Sequence, residues 1–213
     1  MERSTRKLAY KARNPEETKE RILSSATAEF AEFGFLGARV ERIAQRSDVT
    51  MRMLYHYFKS KEYLYGVVLR RVFEQVESAE MECPLGAGGP QEKMGAIIAF
   101  AFDLFLRNPQ FIKLTMGQNF LEAEHLRRLK SLAPHHEWVA ASVRAVLEEG
   151  QTAGVFRRDV DAVHLWMTIH GLCWGLAAGQ HALGAPSVDL ADPDFRAARL
   201  RHIQDVVLAF LSA

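Results

Sequence analysis

Between Thr50 and Lys61 the chain gathers residue types suited to contact with a polyanion. Arg52 brings a fixed cation, His56 a titratable ring, Tyr55 a phenol, Met51 and Met53 flexible thioethers, and Lys59 and Lys61 two more cations. Leu54, Tyr57 and Phe58 recur at helical spacing in the same stretch. Winding at about 100° per residue with those three against a core turns Arg52 and His56 most directly outward, flanked by Tyr55 and Met53. Thr50 precedes this helix as its N-cap, and Ser60 precedes the next. Cations neutralise phosphates and planar donors meet base edges, so the chemistry on this face is that of a DNA groove binder.

A second short helix must sit before this one. Val40, Ile43 and Ala44 are apolar at its first, fourth and fifth positions, and Ser47-Asp48-Val49 breaks the pattern before the reader begins. Two short helices joined by a tight turn predict a helix-turn-helix. Upstream, Asn14-Pro15-Glu16-Glu17 is a start signal: Asn14 caps, Pro15 suits the first helical position and Glu17 completes a capping box. The helix it opens carries Ile22, Ala26, Phe30 and Phe33 on one stripe and ends at Gly34.

These residues resemble the DNA-binding domain of the TetR family of bacterial regulators. The resemblance lies in Phe30 to Phe35 (FAEFGF), Ile43-Ala44, Val49-Thr50, Leu54-Tyr-His-Tyr-Phe58 and Ser60-Lys-Glu62, and spans roughly residues 15 to 70. It implies a homodimer reading palindromic double-stranded DNA, and a small-molecule effector whose binding changes the spacing of two reading heads. Repression is the family's usual mode. The departures fall where specificity is set: Met51-Arg52-Met53 replaces a basic, small, hydroxyl run, and Asp48 stands where glycine is common. Ala38-Arg39 stands where a Thr or Ser commonly starts the second helix, a loss of about 1 kcal/mol unless another group substitutes. Arg39, Thr50, Met51, Arg52, Met53, Tyr55, His56, Lys59 and Lys61 form the candidate DNA-binding set.

The whole-chain charge of +1 hides an asymmetry. Residues 1–61 hold thirteen Lys or Arg against eight Asp or Glu, a net +5, while the rest hold fourteen against eighteen, a net −4. A polyanion partner is therefore expected at the amino-terminal end alone. Residues 1–14 read as a flexible basic arm, through Arg3, Arg6, Lys7, Lys11 and Arg13, and not as a signal peptide, because no apolar run follows. Cys83 and Cys173 make neither a disulfide framework nor a metal site, which fits a reducing cytoplasm. No run approaches the ~20 apolar residues that span a bilayer, so no membrane association is expected.

The fold class expected is all-α: residues 15–62 as a three-helix DNA-binding domain, and 63–213 as a helical ligand-binding and dimerisation domain. The helices beyond Ser60 run to about Glu82, then from about Gln91 to Arg107, Pro109 to Met116, Asn119 to Ser131, Pro134 to Ala153, Asp161 to Leu183, and Asp192-Pro193 to Leu211. Cys83 to Pro90 is a connecting segment rich in glycine and proline. Given the resemblance, an effector cavity in the middle helices has Phe102, Phe105, Met116, Asn119, Phe120, Trp138, Trp166, His170 and Trp174 as candidate lining residues. Each also suits ordinary core. Gly171, Gly175 and Gly179 recur every four residues, and with Val206 and Phe210 form a candidate dimer interface on the last two helices; a core contact within one chain is the other use of such a strip. The carboxy-terminal part, through Asn108-Pro-Gln-Phe111, Gln118-Asn119 and Gly154-Val-Phe-Arg157 with Asp159 and Asp161, is similar to a subgroup containing regulators of pyrimidine breakdown.

Enzyme signatures are missing. His136-Glu137 starts a zinc-protease motif, but residue 140 is Ala140 where the second histidine belongs. Gly86-Ala-Gly-Gly89 follows a helix between prolines and reads as a linker, and no nucleophile elbow occurs. Neither cofactor nor metal is expected. An architectural DNA binder without effector, or a helical enzyme, are the alternative readings.

Overall fold

The computed structural model describes residues 14–81, 83, 85–120, 137–179, 189 and 192–213, with side chains for all of these except 118–120 and 137–139. Among the described residues the regular elements are helices: α1 Pro15–Gly37, α2 Val40–Arg46, α3 Met51–Phe58, α4 Lys61–Glu80, α5 Pro90–Arg107, α6 Pro109–Phe120, α7 Glu137–Thr152, α8 Ala162–Ala178 and α9 Pro193–Leu211. They fall into two compact units that meet at Val68 and Leu69, inside α4, rather than after residue 62. The basic arm and the helix expected over Asn119 to Ser131 lie, wholly or in large part, outside the described residues. Helix α8 ends at Ala178 with Gly179 as its C-cap, short of the end expected at Leu183.

The N-terminal unit forms where local signals and apolar periodicity agree. Asn14 Oδ1 accepts the Glu16 N–H at 3.1 Å, and Pro15 occupies the first helical position of α1. Gly34 breaks this helix with φ 64°, and one further turn carries the chain to Gly37. Ile22, Ala26, Phe30, Ile43, Leu54 and Phe58 are buried together with Leu64, Tyr65 and Val68 of α4. Withdrawing a side chain the size of Leu54 or Phe58 from water contributes roughly 1.5–3 kcal/mol each. Tyr65 stands edge-on to Phe30 at 4.9 Å and tilted against Phe35 at 5.1 Å, and burial pushes its phenol up to about 12.

Phe33 corrects the expected stripe. It is 40% exposed, and the Arg42 guanidinium covers its ring at 4.2 Å from the centroid. The stripe's edge is thus sealed by a cation from α2 rather than by apolar packing. Tyr57, expected to face the core, is half-buried beside the His56 ring.

In the C-terminal unit α5 is the central element, packed on α6, α7, α8 and α9. Met94, Ile97, Ile98, Ala101, Leu104 and Phe105 repeat at three- and four-residue spacing and are all buried. They face Val143, Val146 and Leu147 of α7, Leu165, Ile169 and Cys173 of α8, and Ile203, Val207 and Leu211 of α9 among the buried residues of their partners. The break expected after Met116 is absent: α6 runs through Gly117 to Phe120, because one glycine costs a helix only about 1 kcal/mol. Gly150 is required by the ring of Phe156, which would overlap a Cβ built there. Phe156 is itself buried, and the Arg157 N–H donates to the Leu211 carbonyl at 2.8 Å, tying the segment after α7 to the end of α9.

Candidate functional site

Helix α3 is set by its two ends. Thr50 Oγ1 accepts the Met53 N–H at 3.2 Å, satisfying one of the free donors of the first turn. Before it, Asp48 takes φ 51°, so an aspartate fills the left-handed turn where the related pattern has glycine. Ser47 Oγ is buried and donates to the Ile43 carbonyl at 2.7 Å, closing α2. At the other end Lys59 has φ 51° and ψ −47°, and the Ser60 N–H bonds the Phe58 carbonyl across it in a γ-turn. Ser60 Oγ then accepts the Tyr63 N–H at 3.1 Å, which starts α4 immediately. A lysine held at positive φ costs of order 1–3 kcal/mol and is retained where the surrounding packing over-determines it; here buried Phe58 and Leu64 flank the turn.

With Leu54 and Phe58 buried, the opposite face is open. Arg39, Thr50, Arg52, Tyr55, His56 and Lys59 are exposed, while Met51, Met53 and Lys61 are half-buried. Tyr55 keeps 41% of its surface accessible. The Lys61 Nζ lies 4.8 Å from the centroid of the Phe35 ring, a cation–π contact that holds it beside the aromatic cluster of α1 and α4.

Helix α2 has no side-chain cap, but its start is anchored by a contact that sequence reasoning missed. Glu29, fully buried, accepts the Arg39 N–H at 2.9 Å and Arg42 Nε at 2.7 Å through Oε1, and its Oε2 lies 3.2 Å from Arg46. Burial pushes this carboxyl up, but the hydrogen bonds from Arg42 and from the Arg39 N–H, with the charges of Arg42 and Arg46, outweigh it and hold it below the ordinary carboxylate range. Glu29→Gln keeps the shape and removes the charge, and is expected to cost about 1.5–3 kcal/mol in denaturant melts at pH 7. A carboxyl with a lowered folded pKa stabilises above its unfolded pKa, and that stabilisation is lost as pH falls through the folded value. The wild-type advantage should therefore vanish under acid below the usual carboxylate range. Equal stability of the two proteins at pH 7 would refute the role.

In the C-terminal unit four of the rings expected around a cavity do come together. His170 stacks on Trp174 at 5.7 Å, meets Phe105 edge-on at 5.1 Å and lies tilted to Trp166 at 5.4 Å. Phe105, Trp166 and His170 bound a small enclosed cavity together with Glu80, Ala101, Leu104 and Ile169. Glu80 is 3% exposed, and no sequence signal marked it. Phe102 instead borders an open groove between α5 and α9, with Ala99, Leu106 and Leu200. Met116 is half-buried outside both. The side chains of Asn119, Phe120 and Trp138 lie outside those described. Both thiols are buried: Cys83 is pushed up to about 11 by burial and the charge of Glu80, and Cys173 up to about 12 by burial.

Comparison with known proteins decides what these parts belong to. Residues 22–68 match the family model described as "Bacterial regulatory proteins, tetR family", and residues 90–207 match "Tetracyclin repressor-like, C-terminal domain". The chain belongs to the TetR family. The HTH-type transcriptional repressor NicS of Pseudomonas putida is 31% identical over 205 residues, 96% of this chain and 97% of that one. The HTH-type transcriptional regulator RutR of Escherichia coli is 46% identical over 56 residues, 26% of each chain, a match too short to span residues 90–207. A TetR-family protein of Rhodococcus RHA1 with a solved structure superposes with a TM-score of 0.69 over 92% of this chain and 98% of its own, at 18% identity, a likeness of fold alone. The TetR assignment makes the protein a transcriptional regulator with a helix-turn-helix, not an enzyme. No described helix is long and apolar enough to cross a membrane.

Proposed function

We propose that this TetR-family regulator is a cytoplasmic repressor that binds a palindromic operator as a homodimer through α3 and is released by a small-molecule effector held in the C-terminal unit. The carrying observation is the outward face of α3, where Arg52, Tyr55 and His56 are exposed over a scaffold of buried Leu54 and Phe58. Thr50, Tyr55, His56, Lys59 and Lys61 position the helix on phosphates, Arg39 approaches from the start of α2, and Arg52 with Met51 and Met53 reads bases. Repression is supported by relatives named as repressors, NicS among them.

The dimer reading is supported by an apolar face that no described residue covers. On α8, Val163 and Met167 are 49% and 57% exposed and lead, four residues on, to exposed Gly171; on α9, Val206 and Phe210 are 46% and 52% exposed. A Cβ built at Gly171 or Gly175 meets no heavy atom of the described residues within 4 Å outside the helix's own backbone, so those glycines leave room for the close approach of another helix. Gly179 is half-buried at the helix end. One short helix makes too few base contacts for genomic specificity, and two-fold pairing doubles them over two half-sites.

Arg52→Ala is expected to relax base preference at one position of each half-site by about 1–3 kcal/mol, leaving affinity for unrelated DNA nearly unchanged. Selection of bound DNA from a random pool, run on both proteins, checks this: the wild type should return an inverted repeat, and the variant the same repeat with one degenerate position. An unaltered repeat would remove Arg52 from the reader.

A further inference from the structure

Helix α3 carries an inference about the bases it meets, which rests on reading its outward face as the DNA-binding surface. We propose that Met53 reads thymine, its thioether packing on the 5-methyl group of a thymine that stands beside the guanine engaged by Arg52. The hydrogen-bonding code of the major groove narrows the choice. Bidentate recognition of adenine takes the amide of an asparagine or glutamine, and the amino group of cytosine is met by a carboxylate. Helix α3, MRMLYHYF, holds none of these four side chains. Its guanidinium fork, on Arg52, suits the O6 and N7 of guanine. An A·T pair then keeps one distinctive feature for this helix to sense, the thymine methyl, and sensing it takes an apolar group.

Met53 is the apolar group in the right place. At about 100° per residue it lies about 100° around the helix from buried Leu54, on the flank next to Arg52, whereas Met51 falls about 60° from Leu54 and nearer the packed side. Its own N–H bonds Thr50 Oγ1 at 3.2 Å, which fixes its backbone within the first turn, where such helices present side chains to base edges. The side chain is half-buried, so part of its surface stays open to a partner. Its neighbours on that face are polar-tipped: the His56 ring leans edge-on against Tyr57 at 5.7 Å, and Tyr55 ends in a hydroxyl. An unbranched, polarisable thioether can adjust to a methyl surface that a stiff or charged group would not fit.

The repeat selected from a random pool by the full-length protein supplies the probe. A thymine, on either strand, should stand next to the guanine of each half-site. Replacing those thymines with deoxyuridine deletes one methyl per half-site and leaves the base pairing intact. Anisotropy with the wild type is expected to show affinity falling about fourfold for one half-site and about fifteenfold for both, the size expected for uncovering one methyl-sized group each time. Met53→Ala should bind the thymine and uracil DNAs within about twofold of each other, and Met53→Leu, still apolar, should keep the preference. A variant that had only lost stability would weaken both DNAs alike and leave their ratio at the wild-type value. If Met53→Ala does not fold, Met53→Gln keeps the length, replaces the thioether with an amide and should lose the preference in the same way. Equal binding of the two DNAs by the wild type, a ratio that survives the substitution, or a half-site with no thymine beside its guanine would overturn the assignment and leave α3 as the DNA-binding helix. Failure to select any repeat would overturn that reading, and this inference with it.

Discussion

Raising the salt from 50 to 200 mM is expected to weaken operator binding about 10³- to 10⁵-fold. Each phosphate neutralised by a cation contributes close to −0.9 to the slope of log affinity against log salt, and roughly 6–10 such contacts over a dimer give that range. The N-terminal unit supplies the means: Lys59 stands exposed on its γ-turn, Arg39 is exposed at the head of α2, and Lys61 is held over Phe35 just beyond the reader. The cation–π contact also pre-orders Lys61, so less side-chain entropy is lost when it meets a phosphate. Fluorescence anisotropy of a labelled operator at four or five salt concentrations measures the slope directly. A nearly flat line would be incompatible with this face as the binding surface.

The second large effect concerns assembly. Met167→Arg combined with Val206→Arg puts charges on the exposed faces of α8 and α9. Because both residues are about half accessible in the single chain, each change should alter the monomer's stability by no more than about 0.5 kcal/mol. Across a two-fold interface the same charges meet their own copies, and like charges brought together out of water cost several kcal/mol. The doubly substituted protein should sediment as a monomer at micromolar concentration. Its operator affinity should fall by at least about 10³-fold, toward that for unrelated DNA. Circular dichroism should be unchanged. A variant that still sediments as a dimer, or still binds its operator at the wild-type level, would move the interface elsewhere.

Features governed by neighbours in sequence were legible in the chain. The starts of α1 and α9 follow from Asn14-Pro15 and Asp192-Pro193, where a capping oxygen and a fixed proline φ act within two residues. The reader followed for the same reason: Thr50, Leu54 and Phe58 declare cap and face over nine positions. What stayed hidden was set by distant partners. Phe33 fits the apolar stripe of α1, and only the guanidinium from α2 explains why it lies at the surface. Nothing in the spacing of Glu29 or Glu80 signals burial, yet both are buried, one beneath two arginines of α2 and one against α5 and α8. Helical periodicity records which side chains share a face, but not which face a neighbouring helix will cover. The cavity was therefore half legible: its rings are conspicuous, and its one acid is not.

The division of α3 into a buried side and an open side bears on how such regulators diverge. Leu54 and Phe58 carry the packing, while Arg52, Tyr55 and His56 contribute little to it. Under the proposed function, mutational drift at those outer positions rewrites the preferred DNA site while folding free energy stays nearly constant. A gene copy freed by duplication could thus explore new operators without first gaining surplus stability.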